Sequence, residues 1–355
     1  MASAAGLAGL ALAALALCGL SGCSLGYYAQ SVGGHLDLMN RARPVPEVLA
    51  DPATAPDLRE RLALSQRMRE FAVQALALPD NASYRRYADL QRGAVVWNVV
   101  AAPELSLTLK TWCFPVMGCV GYRGYFDRRE ADALAAQLRA EGWEVSVYGV
   151  PAYSTLGWTN WLGGDPLLNT FIRWPEGELA RILFHELAHQ VVYVKDDTMF
   201  NESYATAVER LGGARWLQTQ AGEQARREYA AFDERRRDFR ALTLAHRQAL
   251  AEVYGGPGSE AAKRERKAAL QAALRERYGQ IKRERWGGFS GYDAWMASAN
   301  NASFGVQAAY DELVPQFERL FQREGGDFAR FHAAVRRLAA LPRDERRREL
   351  AMTND

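Results

Sequence analysis

The chain has 355 residues and 48% apolar side chains, enough to bury a substantial core, and this content excludes wholesale disorder. Its 44 basic and 42 acidic residues nearly cancel, leaving a formal charge of +2. Arginine runs such as "FDERRRDFR" and "KRERKAALQAALRERYG" are interleaved with carboxylates, so they read as solvated helix faces and exclude a nucleic-acid-binding surface.

The first segment, "LAGLALAALALCGLSGC", is apolar, too short for a comfortable membrane span, and ends in small residues. It reads as an export signal rather than as part of the fold. Its end, Leu20-Ser21-Gly22-Cys23, resembles the lipobox of bacterial lipoproteins. That resemblance implies a signal peptide over residues 1–22, cleavage just before Cys23 and a lipid anchor on Cys23. Several buried acyl carbons, at about 0.8 kcal/mol each, would then hold the mature chain to a membrane. Ser24 stands where an aspartate goes with retention at the inner membrane, which implies the outer membrane, facing the periplasm. The sequence departs from the pattern in having no Lys or Arg before the apolar run. A plain secretory signal or an uncleaved anchor is the alternative, and export follows either way.

Residues 23–90 read as a tether and helices. "LGYYAQSVGGHLDLM" leads into a helix, and "PDLRERLALSQRMREFAVQALAL" carries apolar residues at helical spacing before stopping at Pro79. Residues 91–215 read as an α/β layer followed by a pair of functional helices. Its strands are "GAVVWNVVA" and "EVSVYGV", separated by a helix that Asp127 caps and Gly142 ends. In "WCFPVMGCVGY", Cys113 and Cys119 form a bridge if the chain is exported; two reduced core thiols are the alternative. Residues 216–355 read as helical, with "YGGPGSE" as the turn of a charged hairpin and a last block starting near "SANNASF". The fold class expected is α+β, mainly helical.

The chemistry is concentrated in "HELAHQVVYVKDDTMFNESYATAVE". His185 and His189 are four residues apart, so on a helix both imidazoles project from one face toward one ion. Glu186, beside the first histidine, is placed to take a proton from metal-bound water rather than to bind the metal. Leu183, Phe184, Leu187 and Ala188 make this helix apolar on most sides, and buried histidines on such a helix need partners. A zinc ion supplies them. The helix is expected over Glu178–Val194, with Lys195, Asp196 and Asp197 breaking it and Asp197 or Thr198 capping the next. Glu202 is then the third ligand, in the first turn of the second helix, with small Ala205 and Thr206 letting the two helices approach. Glu209 is either a carboxylate that orients a ligand histidine or an exposed charge paired with Arg210 or Arg215.

HExxH followed by Asn201, Glu202, Ala205 and Glu209 resembles the aminopeptidase branch of the gluzincin metallopeptidases. That resemblance implies a zincin-like catalytic core with one Zn2+ held by His185, His189 and Glu202. The gap from His189 to Glu202 is shorter than in well-known members, so the connection must be tighter. "FPVMGCVGYRGYF", "VPAYSTLGW" and "NNASF" extend the likeness to bacterial lipoproteins described as predicted aminopeptidases. The expected partner is a peptide substrate. Tyr204, Tyr292 and Tyr310 are the oxyanion donors considered, with Tyr292 and Tyr310 preferred. Glu104 is the leading anchor for a substrate α-amine, with Asp165 beside it, and the "AYSTLGWTNWLGG" loop is expected to line the cleft. An envelope metalloendopeptidase and a non-catalytic outer-membrane lipoprotein that binds partners through its charged hairpin are the competing readings.

Overall fold

The computed structural model describes residues 26–114, 118–152 and 163–352. Residues 26–41 form a helix, α1, which packs on the sheet behind it. Tyr27 stacks on Phe114 with ring centroids 5.4 Å apart, and the Gln30 side chain accepts from the Phe126 N–H at 3.1 Å. A short strand β1 (Arg43–Pro44) and helix α2 (Val45–Ala50) lead to α3 (Pro56–Leu76). Proline opens α3, and Ala77 in the left-handed conformation closes it, ahead of Pro79.

Strand β2 (Arg86–Ala88) pairs antiparallel with β1 and parallel with β8 (Leu167–Leu168). The larger sheet has β3 (Val96–Ala102) at its centre, antiparallel to both β6 (Arg123–Tyr125) and β7 (Glu144–Val150). Between β3 and β6 lies the hairpin of β4 (Trp112–Phe114) and β5 (Gly118–Val120), closed by a Cys113–Cys119 disulfide. Helix α4 (Arg128–Ala140) starts at an Asp127 cap that accepts the Arg129 N–H at 2.8 Å, and Gly142, at φ +87°, turns the chain into β7.

Strand β3 is covered on both faces, which explains its run of Val and Ala without polar alternation. Val99 and Ala101 meet Ala131, Ala135 and Leu138 of α4. Val100 and Ala102 face the other way, onto Ala302, with Tyr122 and Tyr148 packed around them.

Helices α5 (Glu176–Ala188) and α6 (Thr198–Thr219) form the centre of the main core. The charged hairpin is α7 (Glu223–Gly255) and α8 (Glu260–Glu284), joined at the Gly/Pro turn. After it come α9 (Asp293–Ser298), α10 (Asn301–Asp311), α11 (Val314–Arg323), α12 (Phe328–Ala339) and α13 (Arg343–Ala351). These last helices divide between two cores. Met296 and Phe304 pack with the hairpin, whereas Phe317, Phe331 and Leu350 join the main core beside Leu38, Leu62 and Phe184. The main core therefore draws on elements from both ends of the described chain. Among the described residues no helix is long and apolar enough to cross a membrane.

Candidate metal centre and its surroundings

Helix α5 is buried on nearly every side, with Leu179, Leu183, Phe184 and Leu187 at 1% exposure or less. It stops earlier than its composition suggests, since Ala188 is its last residue and His189 its C-cap. The following β-branched run turns away because Asn201 holds Val194 by both backbone groups. The Val194 N–H donates to Asn201 Oδ1 and the Asn201 amide donates to the Val194 carbonyl, each at 2.8 Å. Asp196 takes a left-handed φ of +63°, and Asp197 caps α6 by accepting the Phe200 N–H at 3.2 Å. Arg346 and Arg347 of α13 close on the same Asp197 carboxylate at 2.8 and 2.6 Å. With its cap at Asp197, α6 carries Glu202 as its fifth residue, in the second turn rather than the first.

This geometry brings together His185, His189 and Glu202. The two Nε2 atoms are 3.1 Å apart, and Glu202 Oε2 is 3.3 Å from the first and 3.6 Å from the second. Ligands about 2.0–2.1 Å from a tetrahedral zinc stand about 3.3–3.4 Å from each other, so the triangle has the edge lengths of three zinc-ligand atoms. The donor set of two imidazoles and one carboxylate suits the same ion, and this is the cluster of metal-ligating type found among the described residues.

Glu209 completes the arrangement from behind. Its Oε2 lies 2.9 Å from His185 Nδ1, while its Oε1 accepts from Arg181. The Nδ1–H of His185 therefore points at a carboxylate, which fixes the tautomer with Nε2 free to bind an ion. Burial opposes a charge on Glu209, but Arg181 and His185 outweigh it and hold the carboxyl down at about 2. Burial likewise opposes the charge on Glu202, and the two histidines hold it well below the ordinary carboxylate range. Glu186 moves the other way: burial raises it, more than the histidines lower it. Arg210 and Arg215, the alternative partners for Glu209, are engaged elsewhere, by Glu318 and by the carbonyls of Ala75 and Gly326. Gly213 lets Arg181 lie against α6, since a Cβ there would meet Arg181 Cγ at 2.9 Å.

Other expected residues are placed away from this cluster. Glu104 pairs with Arg264 of the charged hairpin at 2.8 Å, so its carboxylate is committed to a guanidinium rather than kept for a substrate amine. Tyr292 stacks on Phe239 at 4.0 Å in the hairpin core, which corrects its reading as an oxyanion donor. Tyr204 donates to His332 Nδ1 at 2.8 Å inside the main core. The side chain of Tyr310 lies outside the described residues, as do residues 153–162 of the expected cleft loop and Cys23.

Three tyrosines that sequence reasoning passed over share the surroundings of Glu202. Burial and then the Glu202 carboxylate raise the Tyr122 and Tyr193 phenols, and Tyr148 is pushed up to about 12 despite its bond from Asn98. All three remain protonated near neutral pH. Tyr148 accepts the Asn98 amide at 3.4 Å, which leaves its own O–H to donate. The signal available was the strand alternation that turns Tyr148 toward the same side as Val100.

The family model described as "Putative aminopeptidase" matches residues 26–350. The chain belongs to this family. No curated protein and no solved structure matches it. The family match takes in α5, α6 and the upstream sheet together, so the cluster and the tyrosines around it belong to a peptidase-family chain.

Proposed function

We propose that the chain is a zinc-dependent aminopeptidase acting on peptides in the bacterial periplasm, with α5 and α6 forming a zincin-like core. The observation that carries this reading is the triangle of His185, His189 and Glu202 at zinc-ligand edge lengths, with Glu186 adjoining the first ligand. A zinc ion held by His185, His189 and Glu202 would supply a Lewis acid for a carbonyl and a water that ionises near neutral pH. Glu186 is the carboxylate placed to take up a proton there and to return one to the departing amine. Glu209 keeps His185 in the ligating tautomer, and Arg181 keeps Glu209 ionised. Tyr148 and Tyr122, in place of Tyr292, join Tyr310 as the phenols assigned to donate to the developing oxyanion.

The preference for an exopeptidase rests on the family. The reading includes a lipid anchor on Cys23 at the outer membrane, which the mass of the N-terminal peptide tests. Activity is tested by comparing free and N-acetylated peptides with the zinc-loaded chain. Acetylation is expected to lower cleavage at least about tenfold, about 1.4 kcal/mol in the transition state. Glu186→Gln is expected to keep its zinc and lose nearly all turnover. Equal cleavage of blocked and free peptides at internal bonds replaces the exopeptidase with an endopeptidase. A zinc-loaded chain that cuts neither substrate points to a non-catalytic lipoprotein.

A further inference from the structure

Helix α1 turns its two sides to different surroundings. On the inner side Tyr27 stacks on Phe114 and meets Tyr125 edge-on at 5.5 Å, with the Arg123 guanidinium 4.3 Å from its ring centre. Gln30 accepts the Phe126 N–H, and Gly34 lets the helix close on Phe126, because a Cβ there would meet Phe126 Cγ at 2.2 Å. Leu38 is buried in the main core. These contacts fix which way the opposite side faces.

That opposite side is apolar. Tyr28, Val32 and Leu36 are 41%, 59% and 51% exposed, and the other exposed large hydrophobic among the described residues is Met352, near the far end of the chain. Single exposed apolar side chains are ordinary, whereas three at successive one-turn spacings form a stripe. Gly26, Ala29 and Gly33 are exposed beside them, so no charge interrupts it. Asp37 and Arg41 end it, and they pair with each other at 2.9 Å.

The sequence ahead of the helix indicates what covers the stripe. Residues 1–36 contain no Asp, Glu, Lys or Arg, in a chain that is 24% charged. The apolar run ending at Cys23 stops three residues before Gly26, where α1 begins, so the uncharged side of the helix continues an uncharged, lipid-compatible sequence. Protein contact patches are framed by a polar rim, and this stripe runs without one toward the apolar segment.

We propose that α1 is an interfacial helix whose Tyr28, Val32 and Leu36 stripe lies in the surface of a phospholipid bilayer, with the sheet and its disulfide hairpin on the side away from the lipid. This rests on the reading that the chain is held to a membrane near Cys23, and adds which face of the fold meets the lipid. Val32 and Leu36 enter the acyl boundary, to about 5–10 Å, while the Tyr28 hydroxyl stays at headgroup level. Because the stripe is uncharged, its contact needs no anionic lipid.

The test uses the full chain on vesicles of phosphatidylethanolamine and phosphatidylglycerol with brominated acyl chains. Val32→Cys carrying a nitrobenzoxadiazole probe is compared with Ala261→Cys on the exposed side of α8, and the parent chain taken through the same labelling supplies the blank. Emission from position 32 is expected to fall at least about twofold relative to unbrominated vesicles, with position 261 unchanged. The fall should persist in about 0.5 M salt and without phosphatidylglycerol. Tyr28→Glu with Leu36→Glu should abolish it. Quenching that survives both glutamates assigns the proximity to the anchor alone and overturns the proposal, as does equal quenching at both positions or none at position 32. Disulfide-linked dimers through Val32→Cys in lipid-free solution put a second copy on the stripe instead. The mass of the N-terminal peptide reports the anchor separately, so a failure of the anchor reading is told apart from a failure of this one.

Discussion

Glu209 reaches across from α6 to hold the back of His185, with Oε2 2.9 Å from Nδ1 and Arg181 on its other oxygen. Partners of this kind raise ligand basicity and fix ring orientation, and losing them typically weakens metal binding by about 10–100-fold. Glu209→Gln is therefore expected to weaken zinc binding by that factor, and His189→Ala to abolish it. Competition against a chromophoric chelator measures both. Wild-type affinity in Glu209→Gln would show that the contact does not tune the ligand.

Arg346 and Asp197 form an ion pair at 4% and 2% exposure. Removing one member of such a pair leaves a buried charge, at about 3–5 kcal/mol. Arg346→Ala is expected to destabilise the fold by about that amount and also to loosen the N-cap of α6. Urea unfolding gives the first effect and zinc affinity the second. A loss below about 1 kcal/mol would mean that Arg347 alone satisfies Asp197.

The disulfide hairpin should act on the same connection from the opposite side. The Cys119 N–H donates to Asp196 Oδ1 at 2.7 Å, so the bridged turn supports the segment between α5 and α6. A bridge across a separation of six residues restricts the unfolded chain by about 2 kcal/mol. Reduction, or Cys113→Ser with Cys119→Ser, is expected to lower stability by about 2 kcal/mol. Denaturation with and without reductant checks this, and coincident curves would refute it.

His332 is 1% exposed, donates from Nε2 to the Leu76 carbonyl at 2.9 Å, and accepts from Tyr204 at Nδ1. Burial lowers its pKa from 6.5 to about 4. The unfolded chain thus binds the proton first as pH falls, so this contribution is complete above pH 6.5 and is lost between there and about pH 4. The loss amounts to about 3 kcal/mol. Unfolding free energies measured at pH 7 and pH 5 should differ in this sense, and His332→Asn should flatten the slope. A parent chain whose stability is flat across that window would exclude the effect. His246, lowered to about 4 by burial, adds to the slope in the same direction and persists in the variant.

Features that depend on local spacing could be read from the sequence. His185 and His189 at one-turn spacing, Asp127 as a cap, Gly142 as a stop and the Gly/Pro turn between α7 and α8 all follow from short-range rules. The end of α5 could not, because no Pro or Gly interrupts the chain before Val194 and it turns only where Asn201 captures that residue from across the turn. Nor could Glu104 be assigned, since the hairpin that supplies Arg264 comes 160 residues later.

The clasp of Arg346 and Arg347 on Asp197 also bears on timing. Synthesis runs from the N-terminus, and these arginines follow Asp197 by 149 and 150 residues. Both histidines and Glu202 therefore exist as a covalent sequence long before the start of their second helix can be secured. During that interval the Asp197 carboxylate has to stay hydrated, which keeps the segment open to water. Full closure then waits on α13, so a nascent or clipped chain would have His185, His189 and Glu202 without the setting that aligns them.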